Sequence, residues 1–269
     1  TTRRGLAPHL AGLRVCSVLV REPRLRWPVP DDLSQCLTGA RLVRLDRRAK
    51  YLLFRFDAGT LLGHLGMSGS MRLVPPESAW LTHDHVQLVF EPVDPSVAAP
   101  HLRLNDPRRF GSLHWLDADP DAHFLLAGLG PEPLGPGFDG AVLHARSRGR
   151  RVSVKSFIMD AKVVVGVGNI YATEALFRAG IRPSRQAGRI GRVRYDALAA
   201  AIRAVLGEAV EMGGTTLRDF IGSNGRPGYF RQSLSVYGRG GEPCRRCGTT
   251  LRATRLGQRA TVHCPRCQT

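Results

Sequence analysis

The strongest constraint on this chain lies near its C-terminal end, where Cys244-x2-Cys247 is followed, after sixteen residues, by Cys264-x2-Cys267. Each Cys-x2-Cys turn brings two sulfurs to one side, and two such turns complete a tetrahedron of thiolates. A site of this kind has no open position, so a single Zn2+ held there supports structure and performs no chemistry. Between the pairs, residues 249–255 and 258–263 are expected to form two strands joined at Leu256-Gly257. A hairpin this short has little core of its own, and metal binding supplies the missing stability, about 10–16 kcal/mol in comparable small zinc units. Its exposed side chains then carry the function. Arg259, just past the turn, is placed either to touch a phosphate or to sit solvated at the surface, and spacing alone leaves both open.

The charge balance narrows the partner. Thirty-nine Lys+Arg against 22 Asp+Glu leave a net charge of +17, with a pI near 10.9. A field of that sign attracts polyanions, nucleic acid first among them. A merely soluble, arginine-rich protein is the reading that charge by itself does not exclude. With 43% hydrophobic and 23% charged residues the composition is globular rather than disordered. A length of 269 residues allows two modest domains with proper cores. No run approaches the ~20 apolar residues of a membrane span, and no charged-then-apolar signal segment opens the chain. Cys16 and Cys36 stand apart from the metal pattern, so the cysteines do not form a disulfide framework. A reducing cytoplasm is therefore the expected compartment. Nothing in the sequence calls for an oligomer, and a monomer is expected.

After a helix-like opening, short apolar or alternating runs dominate: Val15–Val20, Tyr51–Phe56, 61–65, 86–90 and 113–115. Turn residues such as Asp57-Ala58-Gly59 separate them, which argues for a β-sandwich or barrel over residues 1–127. The Gly/Pro-rich stretch 128–137 reads as an interdomain hinge. Beyond it the texture turns helical, with apolar residues three and four apart over 170–179 and 195–212. Residues 213–217 are expected to restart a short helix with a threonine cap. Residues 222–240, rich in Gly and Arg, read as a mobile loop and connector ahead of the zinc hairpin at 241–269. The expected class is α+β and multidomain, with a helical domain over 138–221.

Several blocks, in order along the chain, resemble the formamidopyrimidine-DNA glycosylase family, enzymes that excise oxidised purines. They include Arg47-Arg48-Ala49-Lys50-Tyr51-Leu52-Leu53, His64-Leu65-Gly66-Met67-Ser68-Gly69-Ser70, His83-Asp84-His85 and Asp106-Pro107-Arg108-Arg109-Phe110-Gly111. They continue with Val164-Val165-Gly166-Val167-Gly168-Asn169-Ile170-Tyr171-Ala172, Gly213-Gly214-Thr215-Thr216-Leu217 and Gln258-Arg259-Ala260-Thr261. The resemblance implies a β-sandwich, a helix-two-turns-helix domain and a zinc hairpin. It also implies base-excision repair: glycosylase action on 8-oxoguanine and formamidopyrimidines in duplex DNA, then AP lyase cleavage by β- and δ-elimination.

Residue by residue, the resemblance implies the following. Phe110 wedges between base pairs, Met67 fills the space an everted base vacates, and Arg108 donates to the orphaned cytosine. On residue type alone, Met67 and Phe110 would be ordinary packing at strand ends. Lys50 contacts the phosphate flanking the lesion and helps β-elimination, and Arg259 assists δ-elimination and clamps the backbone. His83, Arg108 and Arg150 contact DNA, Lys155 lies near the damaged base, and residues 222–230 cap the lesion. Asn169, at a helix start after Gly166 and Gly168, faces a phosphate, as anions favour helix N-termini. Taken alone, a Gly-x-Gly before a helix is a weak signal.

The family's nucleophile is an N-terminal proline, whose amine attacks C1′ of the sugar. A terminal amine suits this because a pKa of about 7.7–8 leaves a useful neutral fraction. Family members open with Pro-Glu-Leu-Pro-Glu-Val-Glu, whereas the sequence here begins at Thr1, inside the following block. A polypeptide that began there would be expected to bind damaged DNA without cutting it. Two other readings stay open at this point: a zinc-dependent damaged-DNA-binding protein, and an oxidised-pyrimidine glycosylase resembling endonuclease VIII. The Met/Arg/Phe set favours the oxidised-purine branch.

Overall fold

The structure is a computed structural model that describes residues 1–92, 96, 98–212 and 234–269. The described residues divide into two compact units, one ending at Ala127 and the other starting at Gly128.

The first unit opens with helix α1 (Thr2–Leu10), strand β1 (Val15–Val20) and a short helix α2 (Leu33–Leu37). Seven strands follow: β2 (Leu42–Arg48), β3 (Tyr51–Phe56), β4 (Gly59–His64), β5 (Ser70–Val74), β6 (Asp84–Phe90), β7 (His101–Asn105) and β8 (Ser112–Leu116). They form two four-stranded antiparallel sheets, ordered β1-β6-β7-β5 and β2-β3-β4-β8. Alternation sends Leu52, Phe54 and Phe56 of β3 inward to meet Val86, Leu88 and Phe90 of β6 in one core. Leu6 and Leu10 of α1 are fully buried in the same core.

Three strands lack a clear sequence signal, for identifiable reasons. In β2 a register shift between Leu42 and Arg44 breaks the alternation that would have marked it. In β5 only Met71 is buried. In β7 the charged Arg103 points inward, 1% exposed, and so disguises a buried strand. It is tolerated because its guanidinium donates to Gln87 Oε1 (2.6 Å) and to the carbonyls of Ala79 and Ser78 (both 2.8 Å).

The second unit holds α3 (Gly140–Ser147), α4 (Val154–Met159), α5 (Asn169–Arg178), α6 (Arg192–Glu211) and a hairpin of β9 (Arg252–Leu256) and β10 (Arg259–His263). Its core gathers Phe157, Leu176, Tyr195, Leu198 and Ile202. Helices α3 and α4 are too short to show periodicity, but each carries a cap. Asp139 Oδ1 accepts from Val142 N (2.8 Å), and Ser153 Oγ from Ser156 N (3.1 Å). The Gly/Pro stretch read as a hinge lies against this unit. Gly130 N donates to Ala161 O (2.8 Å), and Pro131 O accepts from Val165 N (3.2 Å).

The hairpin turn falls one residue later than expected, at Gly257-Gln258. Both have positive φ, 54° and 61°, the pairing that a two-residue turn between right-twisted strands requires. The helix expected at 213–217 and the capping loop at 222–230 lie outside the described residues.

Candidate nucleic-acid interface

In the first unit two loops carry Met67, Arg108 and Phe110. One follows β4 and the other follows β7. They are joined by the fully buried Asp106, whose Oδ1 accepts from Ser68 Oγ (3.0 Å) and Oδ2 from Gly111 N (2.7 Å). Gly66, at φ 62°, permits the closeness, since a Cβ there would lie 2.6 Å from the Phe110 carbonyl carbon. The large apolar side chains on this platform face outward: Met67 is 63% exposed and Phe110 48%. Arg108 Nε donates to Ser68 Oγ (3.2 Å), and its guanidinium lies 5.8 Å from the Phe110 ring centroid. Two exposed apolar side chains and a cation on one rigid platform are not core packing.

His83 joins the same construction. It is exposed, in the left-handed region (φ 72°), and its carbonyl accepts from Asp106 N (3.0 Å). His85 Nε2 is hydrogen-bonded to Asp106 O (2.8 Å). Lys50 sits exposed on the tight turn between β2 and β3, after Ala49 at φ 53°. Nearby, the Tyr51 and His64 rings lie 4.8 Å apart. Burial, reinforced by Lys50 and Arg26, pushes the His64 imidazole down to about 4. It is therefore neutral at physiological pH, and its Nδ1 accepts from Gly66 N (3.1 Å) in the Met67 loop. The sequence alone assigns no role to Asp106 or His64.

In the second unit the sulfurs of Cys244, Cys247, Cys264 and Cys267 all lie within 4.8 Å of one another. A tetrahedron with Zn–S bonds of about 2.3 Å has edges near 3.8 Å, and the Cys247–Cys264 sulfurs are 3.5 Å apart. Backbone N–H groups of Arg246 and Cys267 approach Cys244 Sγ and Cys264 Sγ, both at 3.4 Å. The donor set fits one structural Zn2+.

Two buried side chains that no sequence motif marks tie this knuckle to the helices. Glu174 of α5 accepts from three successive amides, Ser235 N (2.8 Å), Val236 N (2.9 Å) and Tyr237 N (2.8 Å). Gln268 accepts from Cys264 N and donates to Ile181 O, both at 2.9 Å. Asn169 is the first residue of α5, with Gly168 as its cap and its own Oδ1 buried and, among the described residues, unpartnered. Arg150 is exposed on the turn after α3, and Arg259 is exposed at the start of β10. Lys155 of α4 is 1% exposed, and its ammonium donates to Ala260 O (2.9 Å) and Thr261 Oγ1 (2.7 Å).

Residues 1–113 match the formamidopyrimidine-DNA glycosylase N-terminal domain, residues 129–221 its H2TH domain, and residues 241–269 the zinc finger found in FPG and IleRS. The chain belongs to the formamidopyrimidine-DNA glycosylase family. It is 59% identical to the formamidopyrimidine-DNA glycosylases of Pseudomonas savastanoi pv. phaseolicola and Methylococcus capsulatus, in each case over 100% of this chain and 97% of the relative. Among solved structures, Lactococcus lactis Fpg in complex with DNA containing an abasic site matches with a TM-score of 0.90 at 30% identity, over 100% of this chain and 97% of that one. The MutM (Fpg) protein of Thermus thermophilus matches at 0.86 and 37% identity, over 99% of this chain and 96% of that one. The α+β architecture expected from the sequence, with its sandwich, helical domain and zinc hairpin, is that of this glycosylase family.

Proposed function

We propose that this glycosylase excises oxidised purines from duplex DNA and cleaves the strand at the resulting abasic site. The observation that carries this reading is the outward-facing trio of Met67, Arg108 and Phe110 on loops locked by Asp106. A base within a duplex must be everted before an enzyme can reach its sugar, and eversion leaves a gap and an orphaned partner. Phe110 wedges the stack, Met67 fills the gap, and the Arg108 guanidinium donates to the acceptors of an orphaned cytosine. Arg150, Asn169, His83 and Lys50 take phosphates, and Lys50, beside the reacting sugar, assists β-elimination. Arg259 clamps the backbone and assists δ-elimination. The family's attacking amine belongs to the proline of the Pro-Glu stretch that precedes the Thr1 block. The four cysteines hold Zn2+ as a structural ion that keeps Arg259 on its hairpin. Among the described residues no helix is long and apolar enough to cross a membrane. Cysteines set for metal rather than for disulfides favour the cytoplasm, with association to the nucleoid through DNA.

The test is incision of a duplex carrying 8-oxoguanine opposite cytosine by the chain preceded by its family's Pro-Glu-Leu-Pro-Glu-Val-Glu opening. Borohydride should trap a covalent protein–DNA adduct. Binding without any adduct would leave a damage-binding protein, and preference for thymine glycol would move the substrate to oxidised pyrimidines.

A further inference from the structure

Lys155 poses a physical problem that contact with a damaged base does not solve. An ammonium 1% exposed loses its hydration, and among the described residues no carboxylate lies within salt-bridge distance of it. Its partners are a carbonyl and a hydroxyl, both neutral. Burial, reinforced by the like charge of Arg259, pulls the lysine down to about 8. A side chain that only filled this volume would do so at lower cost as methionine.

What the ammonium does hold is the strand that carries Arg259. It donates to Ala260 O (2.9 Å) and Thr261 Oγ1 (2.7 Å), and the Thr261 hydroxyl donates to Arg259 O (3.2 Å). Three consecutive residues of β10 thus hang on one nitrogen. The next residue of α4, Ser156, stands under the hairpin turn: a Cβ added to Gly257 would lie 3.7 Å from its Oγ. Ser156 is fixed in turn by Ser153, their hydroxyls 2.9 Å apart. The zinc end of the hairpin is fastened by Glu174 and Gln268, and the tip is fastened from α4.

We propose that Lys155 is a positioning residue for the finger arginine: its buried ammonium sets the register and height of β10, so that Arg259 meets the DNA backbone already oriented. This rests on reading Arg259 as the phosphate clamp. A guanidinium whose strand is held against a helix gives up less freedom on binding than one on a hairpin tethered only at its metal.

The experiment compares Lys155→Met, Arg259→Ala and the double variant in the chain carrying the Pro-Glu opening, after zinc content is checked. Two quantities are read: affinity for undamaged duplex across a salt series, and the ratio of β- to δ-elimination products from a preformed abasic site. Lys155→Met should reproduce Arg259→Ala. Affinity should fall about tenfold, as for loss of a charge-assisted hydrogen bond, the salt slope should drop by about 0.9, and products should shift toward β-elimination. The double variant should be no worse than Arg259→Ala alone. Additive losses would overturn the proposal. So would loss of 8-oxoguanine excision with product ratio and salt slope unchanged, which would place Lys155 at the base instead. If Arg259→Ala itself changes neither readout, the clamp reading fails; a Lys155→Met effect then acts elsewhere. Thr261→Val removes one acceptor and keeps the lysine. Should Lys155→Met fail to fold, Thr261→Val decides: a smaller shift of the same sign in both readouts is expected, and no shift overturns the proposal.

Discussion

Replacing Asp106 with alanine should unlatch the two loops that present Met67, Arg108 and Phe110. The carboxylate is fully buried and serves two donors, Ser68 Oγ at 3.0 Å and Gly111 N at 2.7 Å. Alanine leaves both without a partner. Each buried donor left unsatisfied costs about 1–3 kcal/mol, so the locked arrangement should lose about 2–6 kcal/mol. Asparagine is the informative control. Its carbonyl can face Gly111 N–H while its amide donates to the Ser68 hydroxyl, which still accepts from Arg108 Nε (3.2 Å). Both connections survive and only the Ser68 hydroxyl hydrogen loses its acceptor, so the cost should be about 1–3 kcal/mol, roughly half that of alanine. Urea unfolding reports the stability change. The preference for an 8-oxoguanine duplex over undamaged duplex reports the consequence and should fall at least about tenfold, or 1.4 kcal/mol, in Asp106→Ala only. Equal unfolding midpoints and equal preference in Asp106→Ala and the parent would refute the latch. Equal damage from alanine and asparagine would show that charge matters and the hydrogen bonds do not.

Stripping the metal with a chelator should abolish tight DNA binding while leaving the sandwich unit folded, because the Arg259 hairpin depends on the four-sulfur site. Circular dichroism and affinity measured side by side check this, and undiminished affinity in zinc-free protein would contradict it. The pH dependence of stability should carry a contribution from His64. Its pKa, about 4 against an ordinary 6.5, means the unfolded chain binds the extra proton between those values. Stability is therefore full above about 6.5 and is lost as pH falls toward 4, by at most about 3 kcal/mol. His64→Gln should flatten that slope in urea titrations at pH 7 and pH 4.5, and an unchanged slope would refute the assignment.

The zinc site was legible in the sequence because its signal is local: two pairs of ligands, each closing its own turn. Long periodic segments were legible for the same reason, and β3, β6, α5 and α6 fall where apolar spacing placed them. The family blocks carried the resemblance and, with it, the list of side chains to inspect. What they could not carry was the means of support. Asp106 reaches a partner 38 residues away, Glu174 reaches partners 61 to 63 residues on, and Lys155 reaches 105 and 106 residues along the chain. No pattern in one sequence reports such pairings, because a charged residue reads as solvent-facing until folding supplies its partner. Arg103 hides a strand in that way, and Lys155 reads as a DNA contact. Residue types and short spacings determined which chemistry this protein holds. The tertiary structure decided which charges are buried, since only the folded chain brings distant donors and acceptors close enough to replace water.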